Sequence, residues 1–399
     1  MKDVPFPLKV TETMEKNILI LTTVSGFLEK FEQEDVKILQ RLGYTVHYAS
    51  NMREQHYLFQ EVELEEMGIH PHHIEIERSP YMFRKNREAF AQLTDLIEKY
   101  QIQVIHCHTP VGGLLGRLAG IYYKKRNIKI LYTAHGFHFY KGAPLINNSI
   151  YYMVEKFLAR YTDVIITINE EDYENARKFR LKPGGMVYRI PSVGLDMEHY
   201  SPLEEEERRK SRRELKVEDK FFLVSVGELN ENKNHYIVLK ALKKMQTMGM
   251  DLSKILYGIC GEGFFHGRIE KWIEEMGLGE NVILYGYQTD VRKILGSADC
   301  FVFPSKREGL GMAALEALSM GIPLVASDNR GTREYLKHME NGFRCDSTDE
   351  ASFIEGIEYI RNLSQGKRET MQRACRESVR KFEKSNMREI MECVYRGIE

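Results

Sequence analysis

Residues 299–334 read DCFVFPSKREGLGMAALEALSMGIPLVASDNRGTRE, and this stretch decides the fold. Residues 300–303 are a short apolar run that Pro304 ends. Glu308, Gly309, Leu310 and Gly311 follow as a loop. An apolar helix is expected over 312–320, closed by Gly321 and Pro323, and 324–326 resume as a buried strand. Strand, glycine loop, helix and strand form one unit whose helix starts at the sheet edge. The first N–H groups of such a helix lack partners and its dipole is positive there, so it suits an anion. Glu308 stands before the loop and Glu316 lies inside AALEALSM, among small and apolar neighbours. A carboxylate on such a helix is costly to bury unless donors meet it. For either glutamate alone, a structural ion pair or a solvated helix face is a sufficient account.

The same alternation runs outward in both directions. Upstream, 221–226 (FFLVSV) reads as a strand, 227–234 as a loop carrying Glu228 and Lys233, and 236–248 as a helix. A strand over 254–259 ends in Gly261-Glu262-Gly263, a helix follows over 268–276, and the strand 282–284 leads to Tyr287. After Gly342 only helices are expected, over 351–363, 368–382 and 385–395. The first half opens with 17–24 (NILILTTV), whose continuous apolar character suits a strand buried on both faces of a parallel sheet. Gly26 follows in a loop, either as an ordinary turn glycine or to let backbone approach a phosphate. One helix is expected over 29–42. Further strands are expected at 44–49, 103–108, 129–133, 163–168 and 187–190, with 75–77 a poor candidate. Helices fill the gaps between them. The fold class is therefore α/β, with two Rossmann-like halves and mainly parallel sheets.

Length and composition agree. A chain of 399 residues exceeds what one core usually serves. Residues 1–200 and 201–382 are expected as the two domains, and the last helix, about 383–399, is expected to pack back on the first. Charged residues make up 29% and the net charge is -1, so no global field recruits nucleic acid. Six scattered cysteines without C-x-x-C suit reduced thiols and a cytoplasmic location. The opening MKDVPFPLKVTETMEK has no apolar core of signal-peptide length, and no apolar run approaches the ~20 residues a membrane span needs. The charge-dense 204–220 reads as a solvated helix at the domain junction.

Glu308 and Glu316, separated by seven residues around Gly-x-Gly at a strand–helix junction, resemble the E-x7-E signature of family 4 retaining glycosyltransferases, with their two-domain GT-B fold. The resemblance covers nearly the whole chain. It implies that a nucleotide-sugar lies in the cleft, mostly on the second half. Glu316 would then accept hydrogen bonds from the ribose hydroxyls and Glu308 from hydroxyls of the transferred sugar. The amides of Gly309, Leu310 and Gly311 would meet the diphosphate or sugar, with Gly26 and Gly263 nearby, and Tyr287 would lie at the base. Lys233 would hold the diphosphate. Glu228 departs from the family, which usually has an Arg near there; either it points away, or Arg307 or Arg330 compensates. His135, in TAHGFHFY just past a strand end, would stand near the donor sugar on the acceptor side, a catalytic candidate together with Glu308.

His106 and His108 share one strand face but show no evident third ligand; His106 reads as core and His108 as a weak site candidate. No D-x-D occurs, so metal-bridged diphosphate binding is not expected and no cofactor is expected. Lys233 and helix-end dipoles would stabilise the leaving group.

The segments Tyr81-Met-Phe-Arg-Lys-Asn-Arg87 and Tyr122-Tyr-Lys-Lys-Arg126 mix aromatic and basic residues. They read as solvated helix ends or as docking points for an anionic leaflet. With TAHGFHFYKGAP, they are similar to bacterial capsular and exopolysaccharide glycosyltransferases, which implies a UDP-sugar donor, a polyprenyl diphosphate-linked sugar acceptor and a peripheral place on the inner membrane face. Two other readings stay open at this point: a nucleotide-sugar epimerase of the same fold, and a non-catalytic nucleotide-sugar-binding partner subunit.

Overall fold

The computed structural model describes residues 15–53, 61–142 and 144–398. The opening segment 1–14 and Ala143 of the TAHGFHFYKGAP stretch lie outside the described residues. Thirteen described strands form two sheets, and every strand pair is parallel. The first holds β1 (Lys16–Leu21), β2 (Tyr44–Ser50), β3 (Ile69–His73), β4 (Val104–His108), β5 (Lys129–Ala134), β6 (Val164–Thr167) and β7 (Met186–Arg189). Its order is β3-β2-β1-β4-β5-β6-β7. The second holds β8 (Phe221–Val226), β9 (Ile255–Cys260), β10 (Val282–Gly286), β11 (Cys300–Phe303), β12 (Leu324–Ser327) and β13 (Gly342–Cys345). Its order is β10-β9-β8-β11-β12-β13.

The apolar runs explain the layering. Ile18 to Leu21 and Phe301 to Val302 are fully buried, because helices cover both faces of each sheet. Strand order reverses once in each sheet, between β1 and β4 and between β8 and β11. At such a reversal the loops leave in opposite directions, and a crevice opens past the carboxyl ends of the strands. The two halves place these crevices against each other.

The decisive stretch forms as read: β11, the glycine loop, the helix Met312–Ser319 and β12. Gly311 precedes the helix at φ 92°, and a Cβ there would stand 2.7 Å from the Phe303 ring. No side chain caps the helix, so its first N–H groups face outward.

Three local expectations need correction. The edge strand is Ile69–His73, not 75–77; Pro71 hid it, and an edge position tolerates proline because one side needs no donors. A helix Glu61–Glu66 precedes it. Beyond Gly342 the chain first makes β13, four residues too short to show a period. The expected helix over 29–42 breaks at Glu32 (φ -122°, ψ 11°) into Phe27–Phe31 and Gln33–Arg41. The break puts Glu32 and Asp35 inside, 4% and 3% exposed.

The final helix, Lys384–Arg396, returns to the first half. Arg388 meets Glu34 at 2.6 Å, and the Tyr395 hydroxyl donates to Asp35 at 2.8 Å. Its entry is held by Lys384 on Asp196 at 2.6 Å and by the Leu195–Glu383 bridge.

Candidate functional site

Between the halves lies a cavity of about 260 Å³. Phe27, His135, Gly136 and His138 line it from the first half, and Asn232, Arg307, Glu308, Gly309 and Arg330 from the second. Each comes from a loop at the carboxyl end of a strand, or shortly beyond. A larger groove of about 530 Å³ lies at the opposite edge, beside Gly296, Asp299 and Pro323, and holds none of the residues singled out from sequence.

The halves touch through backbone. A Cβ on Gly309 would stand 1.9 Å from the carbonyl oxygen of His135, a distance no side chain tolerates. Asn169, just past β6, donates to the Gly309 carbonyl at 3.0 Å. Arg330 crosses from the second half and is almost fully buried. It donates to Asp172 Oδ1 at 2.6 Å, to the Phe137 carbonyl at 2.6 Å and to the Phe139 carbonyl at 3.3 Å. Asp172 also accepts from Phe137 N and from Asn169 Nδ2. A buried ion pair with this many hydrogen bonds fixes geometry more than it adds stability. Glu334 extends the seam, accepting from Arg189 and from the amide of Glu170, each at 2.7 Å.

On the second half, Lys233 Nζ donates to Glu308 Oε1 at 2.6 Å. The ammonium also lies 5.1 Å from the centroid of the Phe303 ring. Glu316 is partly buried; burial raises its pKa, while Lys30 and a hydrogen bond from Tyr200 oppose the rise. Lys30 belongs to the first half, so Glu316 also looks across the interface. Glu228 pairs with Arg78 of the first half, at 3.5 Å. Arg330 is committed to Asp172. Arg307, 5.6 Å from the Tyr140 ring, has no carboxylate within salt-bridge distance among the described residues.

Of the residues expected from sequence, His135, Glu308 and Gly309 line the cavity, and Lys233 reaches it through Glu308. Leu310 is buried, its carbonyl accepting from the Tyr335 hydroxyl at 2.9 Å. Gly311 precedes the helix Met312–Ser319 and Glu316 lies midway along it, and neither lines the cavity. Gly26, at φ 72°, begins the helix Phe27–Phe31. Gly263 sits where a Cβ would stand 2.6 Å from the Leu229 carbonyl, so it joins two loops. Tyr287 follows β10 and is exposed. Lys30, Asn169, Asp172 and Tyr200 were not singled out. Asn169 alone carried a local signal: it precedes three acidic residues as a helix cap, and its Oδ1 accepts from Asp172 N at 2.9 Å.

Beneath His135 lies a buried polar layer. His106 is core, as expected: its Nδ1 meets the Tyr395 hydroxyl at 2.8 Å and its Nε2 meets Thr133 at 2.7 Å. His108 Nδ1 lies 3.1 Å from His135 Nε2 and 3.3 Å from Glu32 Oε1. The neighbour that seemed missing beside His108 is thus Glu32, which its position 76 residues upstream concealed. Burial pushes His135 down to about 4. It pushes Glu32 well above the usual carboxylate range, helped by Asp35, which itself rises to about 6.

The helix Leu145–Ala159 flanks the cavity. Inward, Glu155 pairs with Arg117 at 2.6 and 3.2 Å. Outward, Leu145 and Ile146 are 83% and 77% exposed, and Ile150, Met153, Val154 and Phe157 continue an apolar face. Tyr151 packs at a tilt against His138, ring centroids 5.2 Å apart, and neighbours the exposed Tyr81, which helps raise its pKa. The 81–87 patch therefore adjoins this face. The 122–126 patch is half turned inward: Tyr123 is buried and Arg126 pairs with Glu98 at 2.8 Å.

Known proteins share this architecture. The family described as "Glycosyl transferases group 1" matches residues 206–381, and "Glycosyltransferase Family 4" matches 36–191. The chain is 37% identical over 348 residues to the EpsD protein of Bacillus subtilis (strain 168), named as a glycosyltransferase, covering 87% of this chain and 88% of that one. It is 27% identical over 275 residues to the Escherichia coli UDP-Gal:alpha-D-GlcNAc-diphosphoundecaprenol alpha-1,3-galactosyltransferase, covering 68% and 70%. Among solved structures, Anabaena HepE in complex with UDP-glucose superposes with a TM-score of 0.75 at 16% identity, covering 95% of this chain and 99% of that one. The fold is GT-B.

Proposed function

Because the chain belongs to the family 4 glycosyltransferases, we propose that it moves a hexosyl or N-acetylhexosaminyl group from a UDP-sugar, with retention at the anomeric carbon, to a sugar carried on a polyprenyl diphosphate. At the coarser level it is a hexosyltransferase of polysaccharide biosynthesis, of the capsule and exopolysaccharide type. Residues 1–200 are the acceptor side and 201–382 the donor side of this proposal.

The observation that carries it is the Lys233–Glu308 pair, at the strand reversal of the second sheet, beside an uncapped helix start. Without donor the two charges satisfy each other. With donor, Lys233 turns to the diphosphate and Glu308 accepts from the sugar hydroxyls. The amides of Gly309, Leu310 and Gly311 add donors along the same edge, and Glu316 takes the ribose, with Tyr200 yielding its place. Arg307 supplies the second cation, while Arg78 holds Glu228 aside. The bond from the anomeric carbon to the diphosphate oxygen breaks, and a bond to the acceptor hydroxyl forms on the same face. The hydroxyl proton passes to the departing phosphate oxygen, and His135 borders the acceptor side. Preorganised donors aimed at the leaving oxygens stabilise the charge that develops there.

The acceptor reading draws on two further observations. The Escherichia coli relative's name gives a UDP-sugar donor and a diphosphoundecaprenol acceptor. The apolar face of Leu145–Ala159 adjoins the cavity through Tyr151 and His138, as a protein taking a substrate from a bilayer surface requires. No described helix is long and apolar enough to cross a membrane, so the proposed contact is peripheral, on the inner leaflet.

A thermal-shift screen of UDP-, GDP- and ADP-sugars tests the donor, since a ligand that binds only the folded state raises its melting temperature. A shift with UDP-sugars alone is expected. Transfer to a water-soluble sugar but not to a lipid-linked one would overturn the acceptor reading. Conversion of donor without any acceptor would mark an epimerase instead.

A further inference from the structure

Three side chains from three separate elements of the first half converge under the cavity. Glu32 comes from the break between two helices, His108 from the end of β4 and His135 from the loop after β5. His108 Nδ1 lies 3.1 Å from His135 Nε2 and 3.3 Å from Glu32 Oε1, and the third side is 3.9 Å. A triangle with these sides has its centre about 2.0 Å from each corner, the length of a zinc bond to imidazole or carboxylate, roughly 2.0–2.2 Å. We propose that Glu32, His108 and His135 form a binding site for a divalent first-row cation, with Zn²⁺ the best fit.

The obvious alternative is a proton relay from Glu32 through His108 to His135. A relay needs the middle imidazole to use both ring nitrogens, one toward each neighbour. Here the same nitrogen, Nδ1, faces both. Nε2 of His108 is buried and has no hydrogen-bond partner among the described residues. Glu32, only 4% exposed, also buries its Oε1 without a hydrogen-bond donor among the described residues. Unpaired buried groups of this kind are costly, and a cation at the shared point would satisfy the carboxylate oxygen together with both facing nitrogens.

Neighbouring groups support the ligands as they do around known metal sites. Asp35 stands beside Glu32 and accepts from Tyr395 at 2.8 Å. Tyr395 in turn accepts from His106, which is held by Thr133. Phe27 packs edge-on against His135, centroids 5.1 Å apart, and fixes the ring. His135 is the one of the three that lines the cavity, so water or a substrate hydroxyl reaches the ion from there. Two imidazoles and a carboxylate with a further position available are a donor set that zinc and its neighbours accept. The absence of D-x-D bears on a metal bridging the donor's diphosphate. This cation stands instead on the acceptor half.

The full-length protein, stripped by a chelator, is titrated with CoCl2, and visible absorption and bound metal are read. One equivalent per chain is expected, displaced by ZnCl2. Glu32→Gln and His135→Ala should each weaken binding by at least ~100-fold, more than loss of a supporting group does. His135 is the least buried of the three, so its variant is the one least exposed to misfolding, and circular dichroism checks both. The chain has a second histidine group, His47 and His72 with nitrogens 3.0 Å apart and His70 stacked on His47. His72→Ala should leave the cobalt spectrum unchanged. Absence of binding by folded wild type, unchanged binding in both folded ligand variants, or loss of binding with His72→Ala would each overturn the site. The readout does not involve sugar transfer, so its failure leaves the proposed function untouched.

Discussion

The two halves carry the same sheet plan but furnish their strand ends with different chemistry. In the second half the strand ends present glycines, an uncapped helix and one Lys–Glu pair, an arrangement that leaves backbone amides as the main donors on offer. In the first half they present buried ionisable side chains, Glu32, Asp35, His106 and His108, with the half-buried Glu29 and His135 beside them. Amides suit a ligand with fixed phosphates. A layer of buried imidazoles and carboxylates suits proton or cation chemistry on a partner that varies. One architecture thus serves two tasks because function resides in the loops at the strand ends.

The contrast rests on the seam that brings the halves together. Arg330→Ala should strike it hardest, because Asp172 would remain buried without its partner. A loss of ~3–5 kcal/mol is expected, read as a large fall in melting temperature. A change of a degree or less would mean that the halves do not depend on this pair.

Gly309→Ala leaves the charges intact but places a methyl at the His135 carbonyl. The halves must then shift relative to each other, and a misplacement of ~1 Å can cost roughly 10²-fold in turnover. A transfer rate within twofold of wild type would mean that the two strand-end sites do not act in contact.

Acid should separate the halves further. Burial pushes His47, His72 and His138 down to about 4 in the first half, against His235, at about 3, in the second. The unfolded chain takes up protons below about 6.5 and the fold refuses them, so this stability is complete above that pH and is lost as pH falls toward 4. For His47 the loss at pH 5 is about 2 kcal/mol. Glu29, raised to about 7, Asp35, raised to about 6, and Glu32, raised well above the usual carboxylate range, act in the opposite direction and regain part of it. Hydrogen exchange at pH 5.5 should therefore show earlier loss of protection in the first sheet. Equal loss in both would remove the distinction.

The smallest effect tests whether the first half meets lipid, as proposed. Ile150→Asp, on the outward face of Leu145–Ala159, should lower partitioning onto anionic vesicles about tenfold, ~1.5 kcal/mol, with the melting temperature unchanged. Unaltered partitioning would show that this face does not meet lipid.

Much of the second half's fold, and of the site proposed on it, was legible in sequence, because that stretch is local. Glu308, the glycines and Glu316 lie within nine residues, and their spacing announces the strand–loop–helix turn. Lys233 was legible from its place after a strand. The first half was legible in its strands but not in its chemistry. Glu32, His108 and His135 are far apart in the chain and meet only through sheet order, and Glu32 sits where a continuous helix was the simpler reading. The outward apolar stripe of Leu145–Ala159 was hidden for another reason: the helix is apolar on both faces, so its period did not stand out. Glu228 could not be interpreted without Arg78, its neighbour from the other half.

The account stands most directly on Glu316. Isothermal titration of UDP into the full-length protein and into Glu316→Ala should show affinity falling by at least ~30-fold, the loss of a paired, charge-assisted interaction worth ~2–4 kcal/mol. Glu308→Ala should bind UDP nearly as wild type does and lose affinity only for the sugar-bearing donor. Equal UDP affinity in wild type and a folded Glu316→Ala variant would contradict the donor site as described.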